Sequence, residues 1–299
     1  MKVAPSDHKK APIEASELIL RPDNSIYHLQ LKTEHLADKI IVVGDPNRVK
    51  MISDQFDSIE YKISGREFHT HTGTKNGVRL SVISTGIGVD NIDIVLNELD
   101  AVVNIDFEKR IPKENKKQLE IVRLGTSGSL QEDIPTGTFL VSEYAIGLDG
   151  MLNFYKKEFE ADERQLMDAF HQQIDYPKDL PLPYIVKGDI GLFELMLPGN
   201  KSGITATASG FYGPQGRKLR LDTQFPQQNE ALNSFAYGGK RITNFEMETS
   251  ALYGLSALLG HKAITICAII ANRYRREFSE RPDLLIKDLI DQVLERLTS

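Results

Sequence analysis

Residues Phe211 to Arg217 read Phe-Tyr-Gly-Pro-Gln-Gly-Arg: two aromatic rings, then an amide and a guanidinium, in a Gly/Pro-rich segment. Gln215 can donate and accept hydrogen bonds, whereas Arg217 only donates. Together they match the edge of a uracil ring, where O2 and O4 accept and N3–H donates. A ring such as Phe211 can lie against the face of the base. Alone, the same residues describe an ordinary solvated loop, so the reading depends on its company.

Three further runs supply it. Gly44-Asp45-Pro46-Asn47-Arg48-Val49 follows the short, β-branched run Lys39–Val43, which reads as a buried strand. Asp45 and Pro46 then suit the N-cap and first position of a helix. Free amides at such a terminus attract anions, and Arg48, one turn in, can reach the same anion as a forked donor. A plain strand–turn–helix joint carrying a surface Arg fits equally well. In Ile121–Gly128, Arg123 ends an apolar strand and is followed by a loop of small and hydroxyl residues. Amides there and the Thr126 hydroxyl can close around an oxyanion or a sugar. Burying Arg123 demands an anionic partner, which a structural ion pair would also provide. In Asn244–Ser250, Glu246 and Glu248 flank Met247 just before an apolar helix, Ser250–Leu259. Carboxylates suit the vicinal hydroxyls of ribose, though acids at a helix N-terminus are also favourable in their own right.

These runs need a frame. Apolar, strand-like stretches recur at Lys39–Val43, Leu80–Ser84, Leu119–Leu124, Thr138–Ser142, Ser202–Ala208 and Ala263–Ala271. Helical patterns fall at Asn91–Val103 and Gln165–Ile174, and a last amphipathic helix over Leu284–Leu297 has Leu285, Ile290, Val293, Leu294 and Leu297 on one face. Alternation of this kind predicts an α/β fold, a single domain with a central mixed twisted β-sheet flanked by helices. Residues 1–24 read as a polar N-terminal arm and residues 25–299 as the domain. The charged stretch Asp106–Gln118 reads as an insertion, either a solvated loop or a helix extension.

An anion loop, a second Arg, diol-binding acids and a uracil reader together describe a site for phosphate and a pyrimidine nucleoside. The motifs resemble those of the nucleoside phosphorylase-I family and, within it, the uridine phosphorylase branch. The resemblance spans Tyr27 to Arg273. It is carried in order by Tyr27-His28-Leu29, Gly44–Val49, Gly65-Arg66-Glu67-Phe68, Ser84-Thr85-Gly86-Ile87-Gly88, Arg123–Gly128, Phe211–Arg217, Phe245–Ser250 and Asn272-Arg273. It implies phosphate binding by Gly44, Arg48, Arg123 and Thr126, with Arg66 reaching the phosphate from a neighbouring subunit. His28 would cross the same interface to the ribose 5′-hydroxyl. Glu246, Met247 and Glu248 match the ribose-binding segment, which Thr126 adjoins. Phe211, Gln215 and Arg217 match the uracil pocket, and Ile270 and Arg273 further positions near the base.

The resemblance also implies phosphorolysis of uridine to uracil and ribose 1-phosphate, in which Arg48, Arg66, Arg123, Gln215 and Arg217 carry the chemistry. Inorganic phosphate is the co-substrate and no other cofactor is implied. A homodimer would be the smallest active unit, with a hexamer as the larger assembly. The purine branch commonly places a Ser-Asp pair near Ala271-Asn272-Arg273 to protonate N7, and lacks the Gln-x-Arg reader. A monovalent cation at the dimer interface would use Glu67 and the loop near Ile87, although Asn91 stands where a Ser is expected. Arg273–Arg276 would be a mobile flap over the base. A phosphorylase or hydrolase for a purine nucleoside or methylthioadenosine, and a nucleoside-binding protein without turnover, are the competing readings.

Composition fits these expectations. A chain of 299 residues can bury about 75% of its unfolded surface. A net charge of −6 and a pI near 5.7 speak against general nucleic-acid binding. The single cysteine, Cys267, rules out an intrachain disulfide and suits a reducing, cytoplasmic setting. No stretch approaches the ~20 apolar residues of a membrane span, and no signal-peptide core opens the chain. Gly86-Ile87-Gly88 lacks the third glycine of a dinucleotide fingerprint. His69 and His71 share one face of a strand, with no further ligand to make a metal pair.

Overall fold

A strand that reads Lys-Ile-Ile-Val-Val, with its last four residues buried, needs neighbours on both edges and cover on both faces. The computed structural model describes residues 11–299 and gives that strand both. Its first half holds β1 (Lys39–Val43), α1 (Pro46–Ser53), β2 (Ser58–Gly65), β3 (Phe68–Lys75), β4 (Val78–Ser84), α2 (Val89–Asn104), β5 (Ile105–Asp106), β6 (Ile111–Pro112) and β7 (Glu120–Ser129). The second half holds β8 (Phe139–Gly147), α3 (Ala161–Gln173), β9 (Tyr184–Lys187), α4 (Ile190–Met196), β10 (Lys201–Thr207), α5 (Gln228–Ser234) and β11 (Ala236–Tyr237). It ends with β12 (Lys240–Glu246), α6 (Thr249–Leu259), β13 (Lys262–Asn272), β14 (Glu277–Phe278) and α7 (Pro282–Thr298).

β1 runs parallel to β4 on one side, Val43 facing Ser84, and parallel to β7 on the other, Val43 facing Leu124. From β4 the sheet continues through antiparallel β3 and β2 as an open wing. On the other side β7, β13, β8, β10 and β12 pair in succession, and β12 returns to β7 through Asn244↔Ser129 and Phe245↔Gly128. The sheet is therefore mixed, as expected, but half of it closes into a five-strand ring. The wing strands β2 and β3 have no apolar run to announce them: Ser-Ile-Glu-Tyr-Lys-Ile-Ser-Gly is mostly exposed or half-buried, and Phe-His-Thr-His-Thr-Gly-Thr-Lys buries Phe68, Thr70 and Thr72 with polar residues between.

β7 decides where a ligand can sit. The sequence reads Gly125–Gly128 as a loop, yet the strand continues to Ser129 because β13 pairs with it throughout. Its partner on the opposite edge ends at Leu124 with β1, and the next, β12, begins only at Gly128. Gly125, Thr126 and Ser127 thus have a one-sided ladder, and their other edge faces a gap. Chain order also reverses across β1, since the chain leaves β4 on one side and returns as β7 on the other. A ligand crevice is expected beyond the strand ends at such a point.

The helices hold this geometry through apolar stripes. α2 buries Ile92, Val95, Leu96 and Leu99, and α7 buries Leu289, Ile290, Val293, Leu294 and Leu297. Each such side chain contributes about 1.5–3 kcal/mol on burial. At the start of the charged stretch Asp106–Gln118, the short ribbon β5–β6 pairs Ile105 with Pro112 and Asp106 with Ile111, and the residues that follow, Glu114–Gln118, are an exposed loop. Arg110 at the ribbon's turn donates through Nε to Ile13 O at 2.7 Å and accepts from Ile13 N through its own carbonyl at 2.7 Å, so the arm packs there. Residues 1–10 of the arm lie outside the described residues. Among those described, no helix is long and apolar enough to cross a membrane.

Candidate active site

Beyond the ends of β1, β4 and β12, and beside the open edge of β7, lies a cavity of about 720 Å³. Gly44, Arg48, Arg123 and Thr126 line it, as do Glu246, Met247 and Glu248. Phe211, Gln215, Arg217 and Ile270 close its other end. Motifs from five parts of the chain thus meet in one place.

The Gly44 end is shaped as the sequence predicts. Asp45 caps α1, accepting from Asn47 N at 2.9 Å, and Pro46 takes the first helical position. A side chain on Gly44 would come within 3.3 Å of Gly86 O, so the loop passes its neighbour closely. Arg48 is half-buried, and its guanidinium makes no hydrogen bond or ion pair with the described residues. Burial pushes its pKa down; Asp45 opposes this and Arg123 adds to it. Two guanidiniums close enough to repel, one of them unpaired, favour an anion between them.

Arg123 is buried and fully engaged. Nη1 meets Glu246 Oε2 at 3.1 Å and Nη2 donates to Glu248 Oε2. Burial alone would lower its pKa, but the two carboxylates outweigh that and hold it well above the usual value. Glu246 has no spare acceptor capacity. It takes Glu248 N at 2.9 Å, Thr249 N at 3.0 Å and the Thr207 hydroxyl at 2.6 Å. It therefore caps the N-terminus of α6, the plainer of the two sequence readings. Glu248 accepts Gly88 N at 2.8 Å through Oε1. Burial raises its pKa first, Arg123 pulls it back and Glu246 raises it again.

At the other end, the tight turn Gly213–Gln215 closes on Gly216 at φ 67° and buries the Gln215 side chain. Arg217 Nη1 donates to Gln215 Oε1 at 2.6 Å and to Phe211 O at 2.5 Å, and Arg273 Nη2 approaches Oε1 at 3.5 Å. Because arginine only donates, Gln215 Oε1 must be the acceptor and its Nε2 is left as a donor. The sequence allowed Gln215 either role; in the structure this end presents donors. The Arg217 guanidinium lies 3.7 Å from the Phe211 ring centroid and covers one face, so a base would use the other face or displace it. Burial and the neighbouring Arg217 push Arg273 down to about 10.

Arg273 touches this cluster without lining the cavity. His28 and Arg66, expected to serve a neighbouring subunit, do not line it either. Arg66 is exposed at the β2–β3 turn with φ 54°. His28 is clamped by Glu98, whose carboxylate meets its Nδ1 at 2.6 Å and accepts Leu29 N at 2.8 Å. Glu67, Ile87 and Asn91 border one wall of the cavity. Among the described residues, no group of three or more His, Cys, Asp or Glu side chains is arranged to hold a metal ion.

Four residues escaped the sequence reading. Cys267 Sγ lies 3.5 Å from Arg123 Nη1, with burial pushing its thiol up to about 11. Thr207 anchors Glu246, and Phe278 on β14 stands at the cavity mouth. Gly88, at φ 99°, gives its amide to Glu248. Gly88 was visible in sequence as the last residue of the Ser84–Gly88 motif and Cys267 as the single cysteine, but neither was given a part in the site.

A five-strand ring with an open wing, and one cavity with paired guanidiniums and carboxylates at one end and an amide–guanidinium cluster at the other, define an α/β protein of the nucleoside phosphorylase type. The chain belongs to the Phosphorylase superfamily, which matches residues 38–298. It is 31% identical over 260 residues to the uridine phosphorylase of Thermococcus kodakarensis, covering 85% of this chain and 80% of that one. A solved Trypanosoma brucei nucleoside phosphorylase, described as showing uridine phosphorylase activity, matches with a TM-score of 0.85 at 32% identity. That match covers 94% of this chain and 99% of the other. A DeoD-type purine nucleoside phosphorylase from Oceanobacillus iheyensis is 26% identical over 243 residues, 81% of this chain and 85% of its own.

Proposed function

We propose that this chain catalyses phosphorolysis of uridine to uracil and ribose 1-phosphate, with inorganic phosphate as co-substrate and no other cofactor. The observation that carries the reading is the polarity of the cavity. Unpaired Arg48 stands beside Arg123 at one end, and a donor cluster fixed on Gln215 stands at the other.

The geometry suits a reaction in which charge separates. As the C1′–N1 bond stretches, the sugar gains oxocarbenium character and the base takes the bonding electrons. Negative charge then appears on uracil O2 and O4, where Gln215 Nε2, Arg217 and Arg273 can donate. Donors placed for charge that develops in the transition state accelerate the step. Phosphate held by Arg48, Arg123, Thr126 and the amides of the open β7 edge lies under C1′, stabilises the cationic sugar and captures it. Holding both reactants in one cavity removes much of the bimolecular entropy barrier. Glu248 accepts from the 2′- and 3′-hydroxyls. No protein nucleophile is needed.

A purine nucleoside is the main competitor, and Asn272 weighs against it. Its Nδ2 donates to Gln131 O and Ile134 O, both at 2.8 Å, and its Oδ1 accepts Arg275 N at 2.9 Å. It is a buried structural amide, and the segment Ala271-Asn272-Arg273, near which the purine branch commonly carries its Ser-Asp pair, holds no acid. The full site in this reading is shared: His28 and Arg66 serve a neighbouring copy, so a homodimer is the smallest active unit. The enzyme works in the cytoplasm, where its one thiol, buried Cys267, stays reduced.

The test is uracil release from uridine, followed by absorbance with and without phosphate, beside inosine. Phosphate-dependent release with ribose 1-phosphate formed is the expected result. Release without phosphate would make the protein a hydrolase. Inosine cleavage exceeding that of uridine would move it to the purine branch.

A further inference from the structure

Arg123 and Glu248 are assigned to different substrates in the proposed function, phosphate and ribose, yet in this structure they hold each other. Arg123 Nη2 donates to Glu248 Oε2 while Nη1 is held by Glu246. The two carboxylates are not equivalent. Glu246 is locked by the Thr207 hydroxyl and the amides of Glu248 and Thr249, and cannot leave without uncapping α6. Apart from Arg123, Glu248 is held only by backbone amides, chiefly Gly88 N at 2.8 Å, with Gly88 at φ 99°. The Glu248 side chain lines the cavity.

We propose that the Arg123–Glu248 pair couples the two subsites, so that each substrate tightens the binding of the other. This rests on the uridine phosphorylase reading and adds to it. A phosphate dianion placed between Arg48 and Arg123 must share Arg123 with Glu248, and the two anions repel. Sugar hydroxyls offer Glu248 two donors in place of the guanidinium. Once it turns to them, Arg123 is released to the oxyanion. Conversely, phosphate on Arg123 displaces Glu248 toward the position where the diol binds. Raising the Glu248 pKa by burial works in the same direction, because a carboxylate so desolvated needs a donor whichever way it points.

Linkage requires the effect to be reciprocal. The probe is inorganic phosphate, titrated calorimetrically into the protein alone and into protein saturated with pseudouridine, whose carbon–carbon glycosidic bond phosphate does not cleave. Phosphate Kd should fall by about fivefold or more with pseudouridine present, and pseudouridine Kd by the same factor with phosphate present. Glu248→Gln should bind phosphate alone more tightly than the natural protein, since Arg123 loses its internal competitor, and should show no coupling. A residue that merely supports the fold would leave phosphate binding unchanged or weaker. Equal phosphate Kd values with and without bound pseudouridine would overturn the proposal, and that comparison needs no variant to fold. Should pseudouridine fail to bind, uracil release from uridine still decides the uridine reading. The pair is then judged on phosphate alone: tighter binding by Glu248→Gln supports it and unchanged or weaker binding refutes it.

Discussion

At the inner end of the cavity, Arg123, Glu246 and Glu248 stand on a strand, a strand end and a helix start, all buried and paired with one another. At the outer end, Phe211 and Arg217 stand on a loop. Phe211 is half-exposed, and the cluster is held by one amide oxygen and a ring face. The inner end is set by the sheet: Arg123 cannot shift without moving β7, which three strands hold. The outer end is set by side chains holding each other, so it can change without disturbing the core. Reaction chemistry common to the family belongs on the first kind of support, and choice of base on the second.

Arg123→Ala is the most severe test of that contrast. It strands two buried carboxylates, which costs about 3–5 kcal/mol when one partner of a buried pair is removed. In the proposed mechanism it also removes a phosphate donor, a loss on the order of 10²–10³ in kcat. Denaturant melting and steady-state rates on the same preparation should therefore both collapse. A variant as stable as the natural protein would mean that Glu246 and Glu248 do not depend on Arg123, and the inner end would not be the rigid unit described.

Gln215→Leu should separate the two losses. The leucine keeps the volume and removes the oxygen that Arg217 and Arg273 share, but Arg217 retains the Phe211 carbonyl and access to water. Stability should fall by only about 1 kcal/mol, while kcat/KM for uridine drops roughly 10²-fold. A stability loss comparable to that of Arg123→Ala would erase the distinction between the ends.

The same contrast governs what could be read from sequence. The outer end was legible because its elements are local: Gly and Pro fix the turn, and Gln215 and Arg217 lie two apart. β1 and the Asp45-Pro46 helix start were legible for the same reason, an apolar run followed by a cap. The inner end was not. Arg123 and Glu248 are 125 residues apart in sequence, and they meet because β12 closes the ring against Gly128 and Ser129, a pairing without a local signal. Small and hydroxyl residues made Gly125–Gly128 look like a loop, although β13 alone suffices to keep them extended. The role of Glu246 turned on a count of its donors, which only coordinates supply. Assignments to His28 and Arg66 rest on resemblance alone, and neither residue lines this chain's cavity.

Arg217→Lys is the mildest change and the sharpest on what the outer end reads. Lysine keeps the charge but has no planar fork. It cannot lie flat on Phe211 at 3.7 Å while bonding both Phe211 O and Gln215 Oε1. Losing the stacked, half-exposed guanidinium should lower stability by only about 0.5–1 kcal/mol, while loss of its forked donor geometry toward the base should lower kcat/KM for uridine by about tenfold. If kcat/KM stays at the natural value, a point charge near O4 is sufficient, and Gln215 is held in place by its buried turn. If it falls as far as in Gln215→Leu, the amide acts only while the guanidinium pins its oxygen, and the two side chains are a single reader. The intermediate result would mean that Nε2 of Gln215 still faces the base when Arg217 is replaced, with Arg273 left to hold the oxygen.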